Sequence, residues 1–387
     1  MAPARLAVFD YGFRPFFLAA GLWAAAPVIG WVHQRNGEPG LPATIDLAWH
    51  AHEAAFGFAV AALTGFLLTA VPSWTGAGPL RGFRLAALFA LWLAGRVALL
   101  VPAVPPLLAG LVDLAFLPAL AAAVVPGILA RNARRNGVFL IVLALLWLAN
   151  AAWHGDRLDL TPGSALPAIR AALALFALLI ALVGGRIVPA FTIGGMRMAG
   201  RPVEIAPAQV LDRAAIAALA LALALDLGAA PDTAVAAAAA LAAFLHAWRL
   251  TRWRPWRTLG VPLVWILHLG YAWLVVALAL LAATALDLVP RAAATHALAA
   301  GAVPTMILAV MSRASLGHTG RPLLVDRWTV AAYALVTLGA VLRVAAAFPE
   351  VAALVEPAAL AWSGGFLVFA LRYAPILLRA RPDGRPG

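Results

Sequence analysis

The chain is a near-continuous series of apolar runs, most of them long enough to cross a lipid bilayer. A spanning helix needs roughly 20 mostly apolar residues. Twelve stretches reach or approach that length: 16–32, 50–71, 85–100, 106–129, 138–153, 169–189, 214–227, 233–248, 262–286, 292–313, 328–347 and 353–372. Those at 214–227 and 233–248 are short and alanine-rich. The expected fold is therefore all-α, a polytopic integral membrane bundle of about twelve transmembrane helices. The loops are short, so residues 1–387 are expected to form a single transmembrane domain. No internal repeat stands out. The Ala/Leu runs suit close helix packing through small residues.

Composition agrees. Of the 387 residues, 64% are hydrophobic and 11% charged, against ~45–50% and ~25% in a soluble domain. The net charge of +12 comes entirely from arginine. These arginines are scattered between apolar runs, which predicts membrane orientation and no nucleic-acid partner. One set of loops carries Arg5 and Arg14; Arg81 and Arg84; Arg131, Arg134 and Arg135; Arg197, Arg201 and Arg213; Arg249, Arg252, Arg254 and Arg257; Arg313, Arg321 and Arg327; then Arg372, Arg379, Arg381 and Arg385. The alternate loops hold few arginines and more acids, among them Glu38, Asp46, Asp156 and Asp287. The positive-inside rule then puts both termini in the cytoplasm, and an even number of spans agrees. No small-residue cleavage site follows the run at 16–32, so it is expected to be the first span rather than a cleaved signal.

The absence of cysteine excludes disulfides, thiolate metal sites, iron–sulfur clusters and a cysteine nucleophile. A metal must use histidine, methionine or oxygen ligands. Ionisable groups at membrane helices are rare because hydrocarbon penalises them, so each is a functional candidate. Trp49-His50-Ala51-His52-Glu53 stands at the mouth of the second run. With the alternating topology, His50, His52, His154 and His296 all fall at the outer membrane level. They are the metal-ligand candidates, because imidazole suits copper and haem iron. Residues i and i+2 lie ~200° apart on a helix. Either His50 precedes the helix, or His50 and His52 serve different partners. Glu53 is placed to orient an imidazole through its second nitrogen.

His268 lies toward the inner side, in the apolar segment Trp265-Ile-Leu-His268-Leu-Gly-Tyr271, and joins the ligand pool as a haem or metal candidate. Arg186 and Arg313 are candidate partners for haem propionates or another anion, with His318 beside them; either arginine equally suits snorkelling to headgroups. His33 and His246 are expected to be interfacial hydrogen-bonders. Asp113, inside a span, suits either proton transfer or a bond to a neighbouring helix. No phosphate-binding loop, dinucleotide fingerprint or haem-attachment cysteine motif occurs.

Several blocks together resemble the NnrS family of haem- and copper-containing membrane proteins of nitric oxide metabolism. They are Gly12-Phe-Arg-Pro-Phe-Phe17, Trp49-His-Ala-His-Glu53, Gly65-Phe-Leu-Leu-Thr-Ala-Val-Pro72, Trp74-Thr-Gly76, Gly184-Gly-Arg-Ile-Val-Pro-Ala-Phe-Thr192, His268-Leu-Gly-Tyr271 and Ser312-Arg-Ala-Ser-Leu-Gly-His-Thr-Gly-Arg-Pro322. They depart from the family pattern at Ala190, where an aromatic is expected before Phe191. The resemblance implies bound haem, expected to be b-type, and copper in a bacterial inner membrane. It also implies binding or conversion of nitric oxide and protection against nitrosative stress. Reduction of the gas needs an electron donor such as a quinol or a small redox protein. Two rival readings use the same histidines: a transporter of metal, haem or a small anion, and a non-catalytic sensor or assembly factor for denitrification.

Overall fold

The computed structural model describes residues 6–129 and 136–384. Among them the structure is helical, with no strand beyond an isolated bridge between Leu6 and Arg379. The long helices, in order, are α1 (Phe13–Arg35), α2 (Leu47–Thr75), α3 (Phe83–Leu100), α4 (Pro106–Leu129), α5 (Val138–Arg157), α6 (Ala165–Met198), α7 (Gln209–Leu227), α8 (Asp232–Arg252), α9 (Pro262–Ala285), α10 (Arg291–His318), α11 (Arg327–Ala345) and α12 (Pro349–Leu378). Among the described residues, eleven helices are long and apolar enough to cross a membrane. This is a multi-pass membrane protein, as the apolar runs predict. The helix outside those eleven is α7, which carries Asp212 and Arg213 in its first turns and Asp226 near its end. Of the expected inner-loop arginines, Arg5, Arg131, Arg134, Arg135 and Arg385 lie outside the described residues.

Local chemistry sets several helix ends. The Asp46 side chain accepts the Trp49 N–H at 2.6 Å and starts α2, and Asp326 accepts the Thr329 N–H at 3.1 Å and starts α11. Such caps satisfy donors that have no partner within the helix. Proline occupies the first turn of α4 and α9, where its missing N–H costs nothing. Gly76 ends α2 in the left-handed region.

Two compact units divide the chain. The first comprises Met1–Leu175, Ala314–Pro322 and Phe369–Gly387; the second comprises Phe176–Arg313 and Leu323–Val368. The most enclosed span is α2, with 83% of its most apolar window buried against 33% for α3. Among the described residues three spans widen into π-helix: α2 at Glu53–Ala59, α6 at Ile180–Gly184 and α10 at Ala297–Ala302. π segments in α-helices are uncommon and gather at functional sites. The first follows His52 directly and the third follows His296 directly.

Candidate metal centre

The first unit holds a buried polar cluster built from five helices. Trp23 comes from α1, His52 and Glu53 from α2, Arg96 from α3, Asp113 from α4, and Asn150 and His154 from α5. His52, Glu53, Arg96, Asp113, Asn150 and His154 are each at most 3% exposed. Such groups are stable inside a bundle only when paired and hydrogen-bonded.

The pairing is extensive. Arg96 lies between the two carboxylates: Nη1 donates to Glu53 Oε1 at 2.7 Å and Nη2 donates to Asp113 Oδ1. Trp23 Nε1 donates to the other Glu53 oxygen at 2.6 Å. Asn150 Nδ2 donates to Asp113 Oδ2 at 2.8 Å. The close approach of α3 to α4 depends on Gly95: a Cβ there would stand 2.9 Å from Asp113 Oδ1 and 3.2 Å from its Cα.

The two imidazoles converge on Asp113. His154 Nε2 lies 3.0 Å from Asp113 Oδ2, and His52 Nε2 lies 3.3 Å from the same oxygen. His52, Asp113 and His154 each offer one ligand atom, and these atoms all lie within 4.8 Å of one another. Around them the His52 ring packs on Trp153 at 4.0 Å and Phe56 at 5.0 Å between centroids. This group could hold a metal ion.

The hydrogen-bond pattern around His52 favours a cation. Its Nδ1 faces Glu53 Oε1 at 2.9 Å, and its Nε2 faces Asn150 Oδ1 at 2.8 Å. Asn150 directs its amide hydrogens at Asp113, so its oxygen must face His52; that orientation is assigned from the pattern of bonds. Both nitrogens of His52 thus look at acceptors. A neutral imidazole has one N–H and one lone pair, so one side is matched only by an added proton or a metal ion. With Glu53 accepting the Nδ1–H, the lone pair belongs to Nε2, which points at Asp113. A carboxylate on the far nitrogen is the usual support for a metal-bound imidazole. Charge leads to the same place. With both carboxylates ionised, one guanidinium against two acids leaves one negative charge, which a single positive charge balances.

A local irregularity makes the Glu53 contact. Neighbours i and i+1 do not face each other on a regular helix. His52 ends the α-helical part of α2 and Glu53 begins the π segment, and at that junction the carboxylate reaches its neighbour's ring.

A family model described as NnrS protein matches residues 7–381, nearly the whole chain. The chain belongs to the NnrS family. Among curated proteins, none matches it.

In this NnrS-family chain the expected ligand pool separates. His52 and His154 meet; His50 does not join them. It lies inside the helical turn Leu47–His52, so the i, i+2 separation holds, and its Nδ1 faces the Pro27 carbonyl at 2.9 Å while its ring stacks on Trp31 at 5.2 Å. His296 belongs to the second unit, where its Nδ1 faces the Ala292 carbonyl at 2.7 Å. His33 bonds the Pro39 carbonyl at 3.0 Å and lies 2.8 Å from Glu38.

His268 is 3% exposed, in the second unit. The Thr192 hydroxyl donates to the Val188 carbonyl at 2.7 Å and lies 2.8 Å from His268 Nε2. Thr192 therefore accepts the Nε2–H, which leaves the lone pair on Nδ1. That Nδ1 is buried with no hydrogen-bond partner among the described residues, and so offers an open ligand position. In the same unit the Arg313 guanidinium lies 4.0 Å over the Phe191 ring, while Arg186 is exposed. His318, in the first unit, stacks against Tyr11 at 6.3 Å.

His246 is buried in a closed chain rather than placed at the interface. Arg249 Nη1 donates to the Tyr271 hydroxyl at 2.9 Å, Tyr271 lies 2.6 Å from His246 Nδ1, and His246 Nε2 lies 3.0 Å from the Ala215 carbonyl. Arg249 also donates to Asp212 at 2.6 Å and to the Ala181 carbonyl of the α6 π segment at 2.8 Å.

Arg96 and Asn150 were not among the residues singled out in the sequence. The signal that could have found them is that each is a polar residue within an otherwise apolar run.

Proposed function

We propose that this chain is a haem- and copper-binding protein of the bacterial inner membrane that binds or converts nitric oxide and so protects against nitrosative stress. The observation that carries the proposal is the buried meeting of His52, Asp113 and His154 with one unbalanced negative charge. Copper(I), monovalent and well suited to imidazole, fits that donor set and its charge. His52 and His154 would hold it through Nε2 and Asp113 through an oxygen, with Glu53 holding the His52 tautomer. Arg96 donates to both carboxylates and holds them in place.

The open Nδ1 of His268 is the atom that would hold the iron of a b-type haem in the second unit. Arg313 and Arg186 are the propionate partners there, and His318, like His50 and His296, is a secondary member of the pool. When bound, haem iron and copper would bind a diatomic gas and pass on to it electrons delivered by an external donor. The chain's own residues exclude water, fix imidazole orientation and balance charge. The gas enters through lipid, and a quinol or a small redox protein supplies electrons.

The test is an absorption spectrum of the purified protein, oxidised, reduced, and reduced with nitric oxide, with iron and copper quantified alongside. A Soret band that shifts with nitric oxide, together with stoichiometric copper lost in His52→Ala, is expected. A featureless spectrum after expression with ample haem sinks the haem part. Copper retained after loss of both His52 and His154 sinks the assigned centre.

A further inference from the structure

Two sequence blocks about 300 residues apart meet in the first unit, through residues other than those of the metal centre. The His318 ring lies against Tyr11 and 5.7 Å from Phe13. Arg14, fully buried, donates from Nη1 to the carbonyls of Ile376 (3.3 Å), Leu377 (2.9 Å) and Arg379 (2.7 Å). These are end-of-helix carbonyls of the kind that lack intrahelical donors. Arg381 donates to the His318 carbonyl at 2.8 Å and forks onto Asp383 at 2.8 and 2.6 Å. Gly320, with φ +67°, turns the chain there; a Cβ would stand 2.8 Å from Arg381 Nη2.

This clasp gathers guanidinium groups. Arg321 and Arg381 lie within electrostatic reach of Arg14, and Arg372 and Arg379 within reach of Arg321. Asp10 acts on Arg14, and Asp383 on Arg381. Arg14 is committed to carbonyls and Arg381 to its carboxylate. Arg321 differs. Its Nη1 is buried with no hydrogen-bond partner among the described residues. Burial, then the charges of Arg372 and Arg379, push its pKa down. Like charges held together around an open donor are the complement of an anion, and guanidinium forks match phosphate oxygens.

We propose that Arg321, with Arg372 and Arg379, forms a phosphate-binding site. Its occupant is the headgroup of an anionic phospholipid or free inorganic phosphate, which share the chemistry these groups recognise. General attraction of loop arginines to a negative membrane surface predicts something different: every exposed arginine, such as Arg257, would count equally.

Native mass spectrometry of the whole protein in detergent, titrated separately with phosphatidylglycerol, phosphatidylcholine and inorganic phosphate, tests this. Phosphatidylglycerol or inorganic phosphate should bind to the wild type. Arg321→Gln should weaken that binding by about tenfold, as loss of a charge-assisted hydrogen bond requires, whereas Arg257→Gln leaves it unchanged. Arg321→Lys should recover part of it. Inorganic phosphate that binds alone and displaces the lipid identifies a free-phosphate site; lipid that phosphate does not displace identifies a headgroup site. Equal weakening by Arg257→Gln, or no binding of either phosphate source above phosphatidylcholine, overturns the proposal. If circular dichroism shows that Arg321→Gln does not fold, the exposed Arg372→Gln carries the same expectation.

Discussion

The two units each bury a histidine and an arginine in one hydrogen-bonded cluster that includes an acid, and the clusters differ in what remains open. In the second unit, Arg249, Tyr271, His246 and the Ala215 carbonyl alternate donor and acceptor along a single chain. The tyrosine hydroxyl accepts from Arg249 and donates to His246, whose remaining N–H donates to a carbonyl. A neutral imidazole satisfies every contact. In the first unit both nitrogens of His52 look at acceptors, and His154 shares one carboxylate oxygen with it. That cluster is complete only with another positive charge. A histidine's capacity to bind metal thus lies in whether its neighbours have already used both its nitrogens, not in its burial.

Four variants break or sharpen this contrast. The largest effect is expected from combining His52→Ala with His154→Ala. Copper should fall from stoichiometric to background by elemental analysis, while His246→Ala leaves it in place. Copper surviving the double change would end the distinction between the clusters. Next comes Arg96→Ala, which leaves two buried carboxylates facing each other. Breaking a buried pair in this way costs about 3–5 kcal/mol, so a large drop in thermal stability in detergent is expected, partly restored by added copper. Stability unchanged by the substitution would mean that the carboxylates are not both ionised.

Glu53→Gln should weaken copper affinity by about 10–100-fold, the usual cost of losing a carboxylate behind a metal-bound imidazole, with the helical content intact. A competitive chelator titration measures it; an unchanged affinity would assign Glu53 to folding alone. The smallest effect is expected from Tyr271→Phe. It leaves Arg249 and His246 short of one partner, at roughly 1–2 kcal/mol, visible as a modest fall in melting temperature. Metal content should not move, and a loss of copper here would couple two clusters that the contrast treats as separate.

Much of this was legible in the sequence. Run length gave the helices because a bilayer demands about 20 apolar residues whatever their order. The apolar run at 214–227 was legible too, but the helix around it takes in Asp212, Arg213 and Asp226, which run length alone did not weigh. The separation of His50 from His52 followed from helical geometry and holds. Glu53 as the partner of an imidazole was anticipated from chemistry, although the contact is made at an α-to-π junction that composition does not announce.

The sequence by itself determined a multi-pass helical membrane protein, its family blocks and a short pool of histidines, because hydrocarbon solvent leaves so few polar residues that each is conspicuous. Only the tertiary structure decided which of them meet. Asp113, Arg96 and Asn150 are 17 to 98 residues from their partners in the cluster, and no local pattern encodes which faces of α2, α3, α4 and α5 turn toward one another. That choice belongs to helix packing, where a glycine such as Gly95 admits a neighbouring carboxylate. The tautomer of each imidazole, and with it the capacity for metal, is set by what lies across that contact.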